Sequence, residues 1–148
     1  MPKEIFGAPG LIAGVCMPMT PRSILGSCPA IAFVCATNPG SAKAFYGDVL
    51  GLRLLRDESP FALVFDACGT MLRISFVQEL KPAVHTVLGW QVPDVRAAVR
   101  DLAGAGIQMR RFDGLTSQDE LGVWSSPSGA KIAWFNDPDG NLLSITQF

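Results

Sequence analysis

The feature that most constrains this chain is that its second half repeats its first. Apolar residues Ala42, Phe45, Tyr46, Val49 and Leu50 recur at i, i+3, i+4, i+7 and i+8, which predicts a helix from Pro39 to Leu50 with one packed stripe. Asn38 is placed to cap it, Pro39 suits its first position and Gly51 its end. Val95, Ala98, Val99, Leu102 and Ala103 repeat the spacing in a second helix from Val95 to about Ala103, capped by Asp94 and stopped by Gly104 and Gly106. One strand candidate precedes each helix and three follow it. The first set is Ala30–Ala36, Arg53–Arg56, Phe61–Asp66 and Met71–Phe76. The second set is Thr86–Val92, Gln108–Arg111, Lys131–Phe135 and Leu142–Phe148. The order is βαβββ twice, offset by about 55 residues, an internal duplication. The expected fold is therefore α+β, two tandem βαβββ modules (about residues 29–79 and 84–148) forming a cupped mixed sheet with helices on the outer face. Residues 1–28 read as a loosely ordered N-terminal extension. Glu4, Pro9, Pro18 and Pro21 interrupt any secretory apolar run, and no stretch has the length of a membrane helix.

The halves differ between Arg111 and Lys131, where the second carries an insert rich in Gly, Ser and Asp. Long connections in compact domains are frequently functional. At 148 residues and a formal net charge of -1 with no basic run, the chain is a poor candidate for nucleic acid, whose phosphates demand clustered Lys and Arg. A small molecule or another protein is the expected partner, and no membrane. Cys16, Cys28, Cys35 and Cys68 lack the paired spacing of a zinc site and fit reduced thiols in a cytoplasmic protein.

Strand alternation assigns faces. Leu72, Ile74, Phe76, Leu88, Trp90, Val92, Leu143 and Ile145 are expected to pack on helices. The opposite face then holds Met71, Arg73, Ser75, His85, Val87, Gln91, Leu142, Ser144 and Thr146. Such a face, partly apolar with a few polar groups, describes a ligand pocket, or a sheet covered by a second subunit. Arg73, Ser75, His85, Gln91, Trp124 and Ser144 are the candidate ligand-binding residues. Arg73 suits a carboxylate or phosphate by bidentate contact, or a structural ion pair with Asp66 or Glu79. His85 is the weak candidate for a general base, set against a surface or dimer-contact role. Trp124 is positioned in the insert to lid an aromatic or apolar ligand, whereas Trp90 and Trp134 read as core. Asp119 and Glu120 read as solvated, and Cys35 as an inert thiol beside the cup.

Three stretches carry a family resemblance. AFYGDVLGLRLL, VPDVRAAVRDLAGAGI and WFNDPDGNLLSITQF together resemble the glyoxalase/bleomycin-resistance/extradiol-dioxygenase (vicinal oxygen chelate) superfamily across residues 29–148. The resemblance implies paired modules around a cup, association as a homodimer, and a divalent metal on the first and fourth strands of each module. Those positions fall on Ile31, Arg73, Val87 and Ser144, none a good ligand; Ser144 stands where many members write Glu. Independently, the common catalytic triads need two or three His, and this chain has one. No metal or other cofactor is therefore expected. The leading expectation is a glyoxalase-like protein that binds a small organic molecule, with anions among the candidates, and without a metal. The alternatives are a metal-dependent lyase, isomerase or dioxygenase, and an interaction module whose cup is filled by side chains.

Overall fold

A computed structural model describes residues 23–148; the greater part of the expected N-terminal extension, including Cys16, lies outside them. Strand β1 (Ile31–Ala36) leads into α1 (Pro39–Lys43), followed by β2 (Arg53–Glu58), β3 (Ala62–Ala67) and β4 (Thr70–Phe76). The second module runs β5 (Thr86–Gln91), α2 (Val95–Gly104), β6 (Trp124–Ser125), β7 (Lys131–Asn136) and β8 (Leu142–Gln147). Each module forms one mixed four-stranded sheet, ordered β1-β4-β3-β2 and β5-β8-β7-β6. In each the first strand runs parallel to the last, because the helix carries the chain back over the sheet, while the hairpins are antiparallel. The duplication is real.

Both helices start as the sequence predicts. Asn38 accepts from the Ser41 N–H, and Asp94 accepts from the N–H groups of Arg96 and Ala97, satisfying donors that a first turn leaves unpaired. The expected first helix differs beyond Lys43. Ala44–Val49 is π-helical, with the Leu50 N–H reaching back five residues to the Phe45 carbonyl (2.9 Å). Phe45 and Tyr46 stay buried, but Val49, expected on the packed stripe, is 38% exposed because the wider turn moves it off that line.

One core joins the two modules. Phe65, Leu72 and Ile74 of the first sheet share it with Phe45 and Tyr46, and with Val95, Val99, Phe135, Leu143 and Ile145 of the second module. Full burial of such side chains contributes about 1.5–3 kcal/mol each relative to exposure. Leu88, Trp90, Val92 and Phe76 pack against this core, so the helix-side assignment of every strand read by alternation holds.

The expected strand Gln108–Arg111 does not form. Only the Arg110 N–H reaches β7, bonding the Trp134 carbonyl at 2.7 Å. Gln118 explains the failure: its side chain takes the Phe112 N–H (2.8 Å) and donates to the Arg110 carbonyl (3.1 Å), groups that further pairing would have used. The short β6, inside the insert, pairs with β7 instead, Trp124 opposite Ile132.

Candidate functional site

The sheet face away from the helices is built in rows, because residues paired across strands point the same way. In the first module one row reads Phe33, Arg73, Val64, Arg56, and its neighbour reads Cys35, Ser75, Ala62, Glu58. In the second, Gly89, Ser144 and Trp134 form one row, and Gln91, Thr146, Ile132 and Trp124 the next. Arg73 and Ser75 thus share one sheet, while Gln91, Trp124 and Ser144 share the other. Edge strands β1 and β5 touch each other. His85 stands apart: it is exposed, precedes β5, and makes no hydrogen bond or ion pair among the described residues. Thr86, unremarked in the sequence, takes a place on this face because a bulge at Val87 shifts the alternation.

This open face exposes apolar surface beside polar groups, with Arg56, Thr86 and Gln91 exposed among it. Phe33 is 61%, Ile31 47% and Val87 36% accessible. Arg73 is ion-paired, but with Glu58 rather than Asp66 or Glu79: its Nη1 lies 3.3 Å from both Glu58 oxygens. Asp66 is instead held by Arg53. The Arg73 Nε and Nη2 have no partner among the described residues, so the guanidinium keeps donors for something else. Ser144 sits 8% exposed beneath β5, and glycine at 89 is what admits it. A Cβ there would come within 2.5 Å of the Ser144 Oγ.

Trp134, expected in the core, faces outward in the Ser144 row. Its indole N–H donates to the Thr86 hydroxyl (3.1 Å), and its ring meets Phe112 edge-on (5.4 Å between centroids) and Trp124 at 6.3 Å. Trp124 is therefore part of a fixed aromatic wall rather than an isolated lid. Asp119 and Glu120 are not merely solvated. Arg96 of α2 binds both (2.6 and 3.2 Å), and the Asp119 Oδ1 accepts from the Leu121 and Val123 N–H groups, folding the insert onto the helix.

The buried polar centre is elsewhere, where the two modules meet. The Tyr46 hydroxyl donates to Asp137 Oδ2 at 2.7 Å across 91 residues of sequence. Asp137, 5% exposed, also accepts from the Asp139 N–H, the Asn141 N–H and the Asn141 side-chain amide. That amide also reaches the Cys35 carbonyl, and Thr37 bonds Asp139. Burial, then the neighbouring Asp137 and Asp139 charges, push the Tyr46 hydroxyl far above its ordinary value, so it serves as a neutral donor. The two sequence stretches that look like a helix stripe and a turn are halves of one joint.

Three clefts open beside the helices or along the 105–111 segment, of about 710, 340 and 430 Å³. Of the ligand-binding candidates only Gln91 lines any of them.

The donor set for a metal does not fit. The carried-over positions hold Ile31, Arg73, Val87 and Ser144, and among the described residues no three His, Cys, Asp or Glu side chains cluster as ligands. Arg73 would repel a cation. Cys28, Cys35 and Cys68 form no disulfide, and no described helix is long and apolar enough to cross a membrane.

Solved structures resemble this one at the level of fold. A glyoxalase family protein from Enterococcus faecalis aligns with a TM-score of 0.62 at 20% identity, covering 78% of this chain and 94% of its own. A lactoylglutathione lyase from Agrobacterium tumefaciens gives 0.61 at 20% identity, covering 80% and 92%. The fosfomycin resistance protein FosX from Listeria monocytogenes gives 0.64 at 13%, covering 80% and 91%. A curated relative, described as DNA polymerase I of Pseudomonas aeruginosa, is 33% identical over 94 residues, but the match takes in 62% of this chain and about a tenth of that protein's length. Residues 30–145 match the profile of the Glyoxalase/Bleomycin resistance protein/Dioxygenase superfamily, and the chain belongs to that family.

Proposed function

We propose that this chain binds a small organic molecule on its open sheet face without a metal, and that a carboxylate or similar anionic group of that molecule meets Arg73. The observation that carries the reading is the pairing of bare apolar surface with an unfinished cation. Phe33 stands well exposed directly opposite Arg73 in the row, and that guanidinium has spent one nitrogen on Glu58. Exposed apolar area beside a partly satisfied charge favours a ligand that is apolar along its body and charged at one end. Ser75 offers a hydroxyl on the same face, and the Trp124–Trp134 wall offers a surface for stacking. The neighbours described as a lyase and as a fosfomycin resistance protein support the alternative of metal-dependent catalysis, which the donor set opposes.

Titration with benzoate, read by tryptophan fluorescence and by amide chemical shifts, tests the proposal. Binding is expected to persist in a chelator, and Arg73→Gln is expected to weaken it by about tenfold, the scale of one lost charge-assisted bond. A stoichiometric transition metal in the purified protein, with binding abolished by the chelator, would overturn it.

A further inference from the structure

A second cleft shares no lining residue with the Phe33–Arg73 row. The 710 Å³ cleft is bounded by Phe45 and Val49 of the π-helical stretch, by the 105–111 segment, and by Asn136, Asp137 and Pro138. Its volume falls in the range of small-molecule pockets. Ile107 and Met109, which line it, also pack on the core, so part of its floor is apolar and anchored. Arg110 and Arg111 both line it. Neither has a carboxylate partner among the described residues: Arg110 bonds the neutral Asn136 side-chain oxygen (2.6 Å), and Arg111 bonds the Asp119 and Glu120 backbone carbonyls. The acid that borders the cleft, Asp137, is committed to four hydrogen bonds within the joint.

From this we infer that the cleft is a second binding site, distinct from the open face, for a monocarboxylate with a short apolar chain. Arg110, held by Asn136 and the Phe112 ring, and Arg111, held by the insert carbonyls, each keep donors to spare for the anion, and a carboxylate is matched to a guanidinium's planar fork. The Phe45, Val49, Ile107 and Met109 surfaces take the chain, whose burial rewards each added methylene. The width of the cleft depends on the π-helical turn, which sets Val49 at its rim with 38% of its surface exposed.

Octanoate is the probe, titrated against the full-length chain and followed by amide chemical shifts, with octanol as the neutral counterpart. Shifts are expected at residues 45, 49, 105–111, 136 and 137, with octanol at least about tenfold weaker. Read from the shifts of the cleft residues alone, the double variant Arg110→Gln with Arg111→Gln is expected to bind octanoate at least about tenfold more weakly, while Arg73→Gln changes only shifts on the open face. Val49→Asp sets a carboxylate at the rim without touching either arginine's bonds. It is expected to weaken binding similarly, and decides the matter if the double variant fails to fold. Equal affinity for octanol, unchanged affinity in a folded variant, or shifts confined to Phe33, Arg73 and their neighbours would each overturn the inference. Because the open-face ligand is tested through Arg73, the two proposals fail separately.

Discussion

The last hairpin of each module turns beside an aspartate, and the two turns have opposite fates. In the first module Asp66 accepts from the Gly69 N–H at 2.8 Å, and the turn through Cys68 and Gly69 lies in solvent. In the second, Asp137 accepts the equivalent kind of backbone bond, but Asp137 and Asn141 at the base of the turn are buried against the first module, bonding Tyr46 and the Cys35 carbonyl. Duplication supplied two similar loops. Packing made only one of them structural, and the difference shows that a turn motif acquires its energetic weight from the surface it lands on.

Removing the aspartates one at a time measures that weight. Asp137→Ala leaves the Tyr46 hydroxyl, two backbone donors and one of the two Asn141 amide hydrogens without an acceptor, and is expected to cost about 3–5 kcal/mol in urea unfolding. Asp66→Ala is expected to cost about 1 kcal/mol or less, its bond being exposed. Equal costs would erase the contrast.

Tyr46→Phe tests the joint from its other side. Loss of the donor to a buried carboxylate is expected to cost about 1.5–3 kcal/mol. Tyr46 also gives the joint a pH signature. The hydroxyl's value in the folded chain is raised above its ordinary 10.0 by burial and by Asp137, so above that pH the unfolded chain releases a proton that the folded chain keeps. Stability from this group is complete below pH 10.0 and declines as pH rises beyond it. Because the chain has one tyrosine, phenolate absorbance reports Tyr46 alone, and it is expected to appear together with unfolding rather than before it. Tyr46→Phe should remove this part of the alkaline decline.

The smallest effect concerns the modules' second strands. The first module has a full-length β2, whereas in the second the insert is held to α2 by Arg96, its partner Asp119 partly exposed. Arg96→Gln is expected to cost about 1 kcal/mol or less, since solvent screens the pair. Hydrogen exchange should quicken at residues 112–123 and stay unchanged at 53–58.

How much the sequence discloses is a matter of range. Caps, helix starts and strand faces depend on neighbours within a few residues, so Asn38, Asp94 and the Leu72–Ile74 alternation were legible. Trp134 was legible too, and misread: Ala133 and Phe135 are the inward residues, so alternation alone sends Trp134 outward. The π-helical turn was not, since one extra residue leaves the stripe Ala42, Phe45, Tyr46 intact and displaces only Val49, while Leu50 still packs on the core. Gln118 is polar in a polar insert and gives no signal. Nor does any pattern in a single chain connect Tyr46 with Asp137, or bring Arg110 and Arg111 to one cleft with Val49. The candidate residues were read as members of a face, while their partners, Glu58 for Arg73 above all, came only with the register of β2.

The common core has a consequence for how this protein can be inherited. Phe45 and Tyr46 complete the packing of Phe135, and the Asp137 turn caps the end of β1, so neither repeat has an interior of its own. The exposed connection between them, where Val84 stands 96% accessible, has the look of a boundary at which evolution could cut and paste. A cut there would strip apolar side chains of both halves of their cover, because each half's packed face is completed by the other.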